Sequence, residues 1–256
     1  MINSLRPADL FDLTDRVALI TGGSRGIGAS VARGFAAAGA DVVIASRKLD
    51  ACEALAEEVR ALGRRAWAIA ANVSVWDDCD ALIDQVYAQV GRVDVLVNNA
   101  GSSPLYPDLT SVTEAYYDKV HGLNARGAFR LATVIGSRMY EGQGGSIINV
   151  STIGSLHAGS NELVYAMAKA GMNQLTQGLV DAYAPKVRAN TVLPGGFATD
   201  VAKQSRWLTE GDEQLAAIGQ PDEMVGICIY LASDAASYTN GATIEISRAG
   251  WRRGQK

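Results

Sequence analysis

A chain of 256 residues that is 48% apolar and 20% charged has the composition of a folded globular protein, which excludes a disordered one. A prior of ~150 residues per domain puts it between one and two domains, and area scaling lets such a chain bury roughly 70% of its extended surface in a single core. Its net charge of −4 excludes the basic face that a nucleic-acid partner would need.

Cys52, Cys79 and Cys228 are odd in number, far apart and set among apolar residues, so they read as buried thiols in a reducing compartment. His121 and His157 lie far from them in sequence, and no metal site is expected. The opening stretch MINSLRPADLFDL lacks the basic-then-apolar order of a secretory signal, and no run reaches the ~18 apolar residues of a membrane span. The expectation is a soluble cytoplasmic protein with no nucleic-acid or membrane partner.

The first apolar run, 17–20, passes directly into Thr21-Gly22-Gly23-Ser24-Arg25-Gly26-Ile27-Gly28, and a helix follows through Ala38. Glycines after a first strand and at the opening of a helix let the backbone approach a pyrophosphate, whose charge then sits at the helix N-terminus. The second run, 42–45, ends in Ser46-Arg47-Lys48. A helix with Asp50 and Glu53 as its capping pair then carries an inner stripe of Cys52, Leu55, Val59 and Leu62 and stops at Gly63. After the third run, 67–70, Ser74 and Asp77 open a helix whose inner face is Cys79, Leu82, Ile83, Val86 and Val90, ending at Gly91. Further runs follow at 93–97, 147–150, 189–193 and 243–246. Residues 195–221 form the longest stretch without a clear strand and read as an insertion with a short helix, a substrate lid over the carboxyl ends of the strands.

Runs that are apolar throughout belong to a parallel sheet covered on both faces, and alternation with helices demands crossover connections. The fold class is therefore α/β: a Rossmann-type, doubly wound parallel sheet of about seven strands with helices on both faces, in one domain over 1–256.

Coenzyme choice has a physical reading. A dinucleotide without a 2′-phosphate usually meets an acid at the end of the second strand, but Ser46 and Arg47 stand there, and Asp41 lies at the opposite end of that strand. A guanidinium binds a 2′-phosphate through charge-assisted hydrogen bonds, and Arg25 supplies a second cation, so NADP(H) is expected over NAD(H).

The glycine spacing G-x-x-x-G-x-G, together with Asn98-Asn99-Ala100-Gly101 after the fourth run and Pro194-Gly195 followed by Thr199, resembles the short-chain dehydrogenase/reductase family over residues 14 to 247. The resemblance implies coenzyme contacts from Gly22, Ser24, Arg25, Gly26, Ile27, Gly28, Ser46, Arg47, Asn72, Val73, Asn99, Ala100, Gly101, Tyr165, Lys169, Pro194, Gly195 and Thr199. Where the family commonly has an Asp after the third strand this chain has Asn72, whose carbonyl oxygen is expected to accept from the adenine amino group.

Tyr165 and Lys169 stand four apart in a helix-forming segment, on one face, where the family's Y-x-x-x-K motif belongs. Hydride arriving at a carbonyl carbon leaves charge on oxygen, so a proton donor must be within reach. Tyr165 is expected to be that acid, and the base in the reverse direction. Lys169 is expected to lower its pKa, with help from an oxidised nicotinamide, and to hold the nicotinamide ribose. The family's substrate-orienting Ser, thirteen residues before the Tyr, is Thr152 here, with Ser155 as second candidate; threonine keeps the donor and both lone pairs. Asn124 matches the Asn that the family uses to hold a water beside the Lys.

The implied reaction is hydride transfer between nicotinamide and a carbonyl or secondary alcohol. Loops 102–108, 153–163 and 197–218 offer Leu105, Tyr106, Leu156, His157, Phe197, Val201, Trp207 and Leu208, a lining suited to an apolar ketone or hydroxy compound. A catalytically silent NADP-binding sensor or scaffold, and an epimerase or dehydratase on the same scaffold, stay open beside it. The resemblance also implies a homo-oligomer, dimer or tetramer, through helices in 111–140 and 162–184. Small residues there (Ala125, Gly127, Ala128, Ala132, Ala166, Ala168, Ala170, Gly171) would let helices of two chains or of one approach closely, and Trp251, before Arg252 and Arg253, would dock on a neighbour.

Overall fold

The structure is a computed structural model that describes residues 6–199 and 218–248. Val201, Trp207, Leu208 and Trp251–Arg253 lie outside the described residues. Seven strands form one parallel sheet: β1 (Val17–Thr21), β2 (Asp41–Ser46), β3 (Ala66–Ala70), β4 (Val95–Asn98), β5 (Gly145–Val150), β6 (Val187–Pro194) and β7 (Thr243–Ile246). Their spatial order is β3-β2-β1-β4-β5-β6-β7. A short α1 (Pro7–Leu10) precedes the sheet. The connecting helices are α2 (Gly26–Ala37), α3 (Leu49–Ala61), α4 (Trp76–Gln89), α5 (Glu114–His121), α6 (Gly127–Glu141), α7 (Leu163–Tyr183) and α8 (Val225–Ala232).

Two hydrophobic cores account for the unbroken apolar runs. Ala18 and Ile20 of β1 face the core shared with Phe35, Leu55 and Cys228 of α2, α3 and α8, while Val17 and Leu19 face the core shared with Leu82, Leu131 and Leu179 of α4, α6 and α7. With helices on both sides, neither face of a strand can be polar. All three cysteines are buried and unpaired. Among the described residues no helix is long and apolar enough to cross a membrane.

Both expected capping pairs fail. α3 begins at Leu49 and α4 at Trp76, neither with a side-chain cap, so Asp50 and Asp77 lie inside the first turns, where they complement the helix dipole. Ser74 does not cap α4 because its hydroxyl donates to Asn72 Oδ1 at 2.8 Å. Leu62 falls past the end of α3 and is exposed, off the inner stripe. The described ends of the 195–221 stretch are tied together by an isolated bridge between Phe197 and Gly219.

Between α5 and α6 the helix widens into a π turn, Gly122–Arg126, which no sequence pattern announced. Gly127 follows it against the loop after β3: a Cβ there would stand 1.9 Å from Val73 O. Gly127→Ala therefore forces backbone apart and should destabilise the protein by about 1–3 kcal/mol. At this chain length that lowers the thermal midpoint by ~2–4 °C per kcal/mol in calorimetry. Gly226→Ala, on α8 where a Cβ meets nothing within 4 Å, should instead be neutral or stabilising by up to ~1 kcal/mol.

Candidate active site

β1 pairs with β2 on one side and β4 on the other, so the chain reverses direction across the sheet at β1 and opens a crevice at the carboxyl ends of the strands. A cleft of about 1020 Å³ occupies that place. At its base the turn after β1 meets the turn after β4. Asn99 Nδ2 donates to Thr21 O (2.9 Å) and Gly22 O (3.1 Å), while Thr21 Oγ1 accepts from Asn99 N (3.1 Å) and Ala100 N (3.2 Å). The approach excludes side chains. Gly22 has φ +62°, and a Cβ on it would lie 2.9 Å from Ala100 Cα; one on Gly28 would lie 2.4 Å from Gly22 O. Gly28 is thus a packing residue behind the cleft and does not line it.

The rest of the glycine turn, Gly22, Ser24, Arg25, Gly26 and Ile27, does line the cleft. α2 starts there with no side-chain cap and no acid in its first turn, leaving its N-terminal backbone donors for an anion. The residues therefore fit a dinucleotide pyrophosphate. Ser46 and Arg47 line the same end, with Lys48 beside them, and Ser46 Oγ is tied to Ser24 Oγ at 2.9 Å and to Cys52 Sγ at 3.0 Å. Asp41 is at the far end of β2, ion-paired with Arg64 and Arg65. Asn72 and Val73 also line the cleft, but Asn72 Oδ1 already accepts from Ser74 N and Ser74 Oγ. The carbonyl oxygen expected to meet adenine is thus committed to the turn. Thr199 packs its methyl 3.3 Å from where a Gly26 Cβ would be, and Pro194 and Gly195 close the opposite wall.

At the other end β5 delivers Thr152 and α7 delivers Tyr165 and Lys169, all three lining the cleft. Lys169 is buried, with Nζ donating to Val150 O at 2.7 Å and standing 6.0 Å from the centre of the Tyr165 ring. Burial pulls the Lys169 ammonium down to about 7. Burial also pushes the Tyr165 phenol well above its usual range, and the charge of Glu162 adds to that. The expected lowering of Tyr165 by Lys169 is therefore not a property of the protein alone, because desolvation outweighs an ammonium already turned to a carbonyl.

Thr152 Oγ1 accepts from Gly154 N at 3.2 Å, which leaves its proton and a lone pair for the cleft. Ser155 has no such freedom: its hydroxyl donates to Thr152 O at 2.6 Å and accepts from Asn173 Nδ2 at 2.9 Å, away from the cleft lining. Asn124 is fully buried and does not line the cleft. Its Oδ1 accepts from Ser102 N, and its Nδ2 donates to Ser102 O and Val120 O. That leaves one lone pair for the expected water, and the side chain chiefly fastens the Gly101–Ser102 turn. A Cβ on Gly101 would meet Asn124 Oδ1 at 2.9 Å and Lys169 Nζ at 3.4 Å, so that glycine is what lets the two converge.

Of the described apolar candidates only Phe197 lines the cleft. Tyr106 is buried in a small core with Val120 and Val164, its hydroxyl donating to Ser160 O and accepting from Leu163 N. Leu105, Leu156 and His157 stay on the surface. The sequence reading missed Glu162, the one acid among the described lining residues. Its position three residues before Tyr165, just ahead of the helix that carries it, was the available signal.

A family model described as short chain dehydrogenase matches residues 16–208. The chain is 38% identical over 244 residues to an L-rhamnose 1-dehydrogenase (NAD(P)(+)) of Azotobacter vinelandii, covering 91% of this chain and 95% of that one. Among solved structures it resembles a gluconate 5-dehydrogenase from Burkholderia cenocepacia J2315 in complex with NADP and tartrate, at 33% identity and TM-score 0.86, covering 94% and 97% of the two chains. It also resembles a 7α-hydroxysteroid dehydrogenase complexed with NADH and 7-oxoglycochenodeoxycholic acid, at 29% identity and TM-score 0.88, covering 99% of each.

The depressed Lys169 has a consequence for stability. Unfolded, this lysine keeps its proton up to about 10.5; folded, it loses it near 7. Between those values the unfolded state binds the extra proton, so stability should rise with pH, by up to ~1.4 kcal/mol per unit from this group. Denaturant unfolding from pH 7 to 9 should show that rise in the wild type relative to Lys169→Met, in which the difference flattens. Parallel curves would show the ammonium to be as well solvated folded as unfolded.

Proposed function

Because this chain belongs to the short-chain dehydrogenase/reductase family, we propose that Tyr165, Lys169 and Thr152 serve its chemistry and that NADP(H) is its preferred coenzyme. It is a nicotinamide-dependent oxidoreductase that exchanges hydride with a carbonyl or a secondary alcohol. The observation that carries the residue roles is the convergence of the Tyr165 phenol, the Thr152 hydroxyl and the Lys169 ammonium on one wall of a cleft whose other end is a capless helix terminus.

The glycine turn and the N-terminus of α2 would hold the coenzyme's pyrophosphate, and its nicotinamide would supply or accept the hydride. Tyr165 donates its proton to the substrate oxygen in reduction and recovers it in oxidation. Its raised pKa keeps it protonated near neutrality, so it gives up that proton only as charge develops on the oxygen. Lys169, fixed by Val150 O, presents a cation toward the phenolate that results. The Thr152 hydroxyl donates to the same substrate oxygen and sets its orientation. Asn124 acts as a positioning residue that holds Gly101–Ser102 against Lys169.

Coenzyme preference rests on charge. Arg25, Arg47 and Lys48 line the end where the second strand finishes, and among the described residues the one lining acid, Glu162, is with Tyr165 at the other. A 2′-phosphate is matched there, whereas the paired hydroxyls of a ribose would find no carboxylate. Three further readings complete the proposal. Unpaired buried cysteines support a reducing, cytoplasmic setting. Phe197 and Ile218, near the described ends of 195–221, both line the cleft, which supports the lid role of that segment. Phe129 of α6 and Met167 of α7, both 47% exposed, support a homo-oligomer. The small residues expected at that interface are largely used inside the chain: Gly127, Ala128, Ala132, Ala166 and Ala168 are buried, and only Gly171 lies open.

Tyr165→Phe should retain coenzyme binding and lose ~10²–10⁴-fold in kcat on any ketone that the wild type reduces. Thr152→Ser should stay within a few-fold of wild type and Thr152→Val lose ~10–100-fold. Coenzyme binding with no turnover of a ketone panel by the wild type would instead favour a sensor or scaffold. Arg47→Asp should cut the NADPH-over-NADH ratio of kcat/KM by ~10-fold or more. An unchanged ratio would mean that the phosphate is held elsewhere.

A further inference from the structure

Glu162 stands immediately before α7, three residues ahead of Tyr165, and both line the cleft. Its carboxyl is half-buried in the cleft wall, and among the described residues the backbone at Gly159 is its one donor. A carboxylate has lone pairs for several donors, and this one makes no capping bond to the helix that follows it, so it keeps acceptor capacity on the cleft side. Its surroundings raise its pKa through burial, with only the backbone of the turn at Gly159 opposing.

The carboxyl also shares a space with the residue that orients substrate. A methyl group on Gly154 would lie 3.3 Å from Glu162 Oε1 and 3.6 Å from Thr152 Oγ1, so both oxygens border the small opening that this glycine leaves. A substrate whose reacting oxygen sits at Thr152 and Tyr165 thus points the substituent on an adjacent carbon toward Glu162. Those distances put the two oxygens no more than about 7 Å apart, a span that a pair of oxygens on neighbouring carbons can bridge by hydrogen bonds.

We propose that Glu162 determines specificity by accepting a hydrogen bond from a hydroxyl on the carbon next to the reacting one, so that the substrates are vicinal diols and α-hydroxy ketones. A cationic substituent suits the place less well. The Lys169 ammonium stands just across the Tyr165 ring and repels a second cation brought to the same space. The proposal rests on the hydride-transfer reading above and names the substrate class of that site.

The test is oxidation of matched pairs with NADP⁺: vicinal cyclohexanediol against cyclohexanol, and vicinal butanediol against sec-butanol. Wild-type kcat/KM should favour the diol by ~10–100-fold, the weight of one hydrogen bond to a carboxyl group. Glu162→Ala should bring the diol-to-mono-alcohol ratio close to one, because any change in the Tyr165 pKa acts on both substrates alike and cancels in the ratio. Glu162→Leu substitutes for it if the alanine variant fails to fold. Glu162→Gln, which keeps an acceptor but no charge, should retain most of the preference. No preference in the wild type, a ratio unmoved by Glu162→Ala, a Gln variant as impaired as the Ala variant, or a loss confined to coenzyme affinity would each overturn the assignment while leaving hydride transfer standing. Turnover of no alcohol or ketone by the wild type would overturn both.

Discussion

The site depends on one close contact, that between the turn leaving β1 and the turn leaving β4. These strands are neighbours in space although β2 and β3 separate them in the chain, and their turns are stitched by the Asn99 amide and the Thr21 hydroxyl. The stitching works only because Gly22 and Gly28 carry no side chain where the backbones approach. From that contact follow the direction of α2, the exposure of its N-terminal donors, and the placing of Gly101 beside Asn124 and Lys169. Anion site and chemical site are two ends of one seam.

Electrostatics divides the cleft along its length. Arginines and a lysine gather where β2 ends, and the pyrophosphate position is served by backbone donors without acids. At the chemical end Lys169 is buried and Tyr165 and Glu162 are half-buried. Lys169 is held in its place by a carbonyl and is easily deprotonated, Tyr165 is held protonated, and Glu162 sits beside them with only the Gly159 backbone as donor. Burial dominates both pKa values, since the ammonium and the phenol are stacked at a distance and are not hydrogen-bonded. A proton donor of this kind responds to charge brought to it by the reaction, which suits a group that acts in both directions.

The corrections share a cause. Asp50, Asp77 and Ser74 are good capping residues by type, yet Asn72 took the Ser74 hydroxyl and the helices began one or two residues away from the expected caps. Ser155 and Asn124 carry the right groups for a site, and both are occupied by backbone and side chains that sequence spacing cannot see. Tyr106 is apolar enough for a pocket wall but is enclosed by Val120 and Val164. In these cases a rule of residue type named a competent group, and the partners that the folded chain supplied, some near in sequence and some far, decided its use.

Local pattern by itself determined the parallel α/β sheet, because strands buried on both faces must be apolar throughout and because crossover helices must carry an inner stripe. It also determined the glycine turn and the Tyr165–Lys169 pair, since a single helical turn relates those two residues. Tertiary structure alone decided which hydroxyls and amides remained open to the cleft, the π turn at Gly122–Arg126, and the placing of the Glu162 carboxyl in the cleft wall. Hydrogen-bond partners and burial depend on residues tens of positions apart, and a spacing read along the chain holds no information about which of them arrives first.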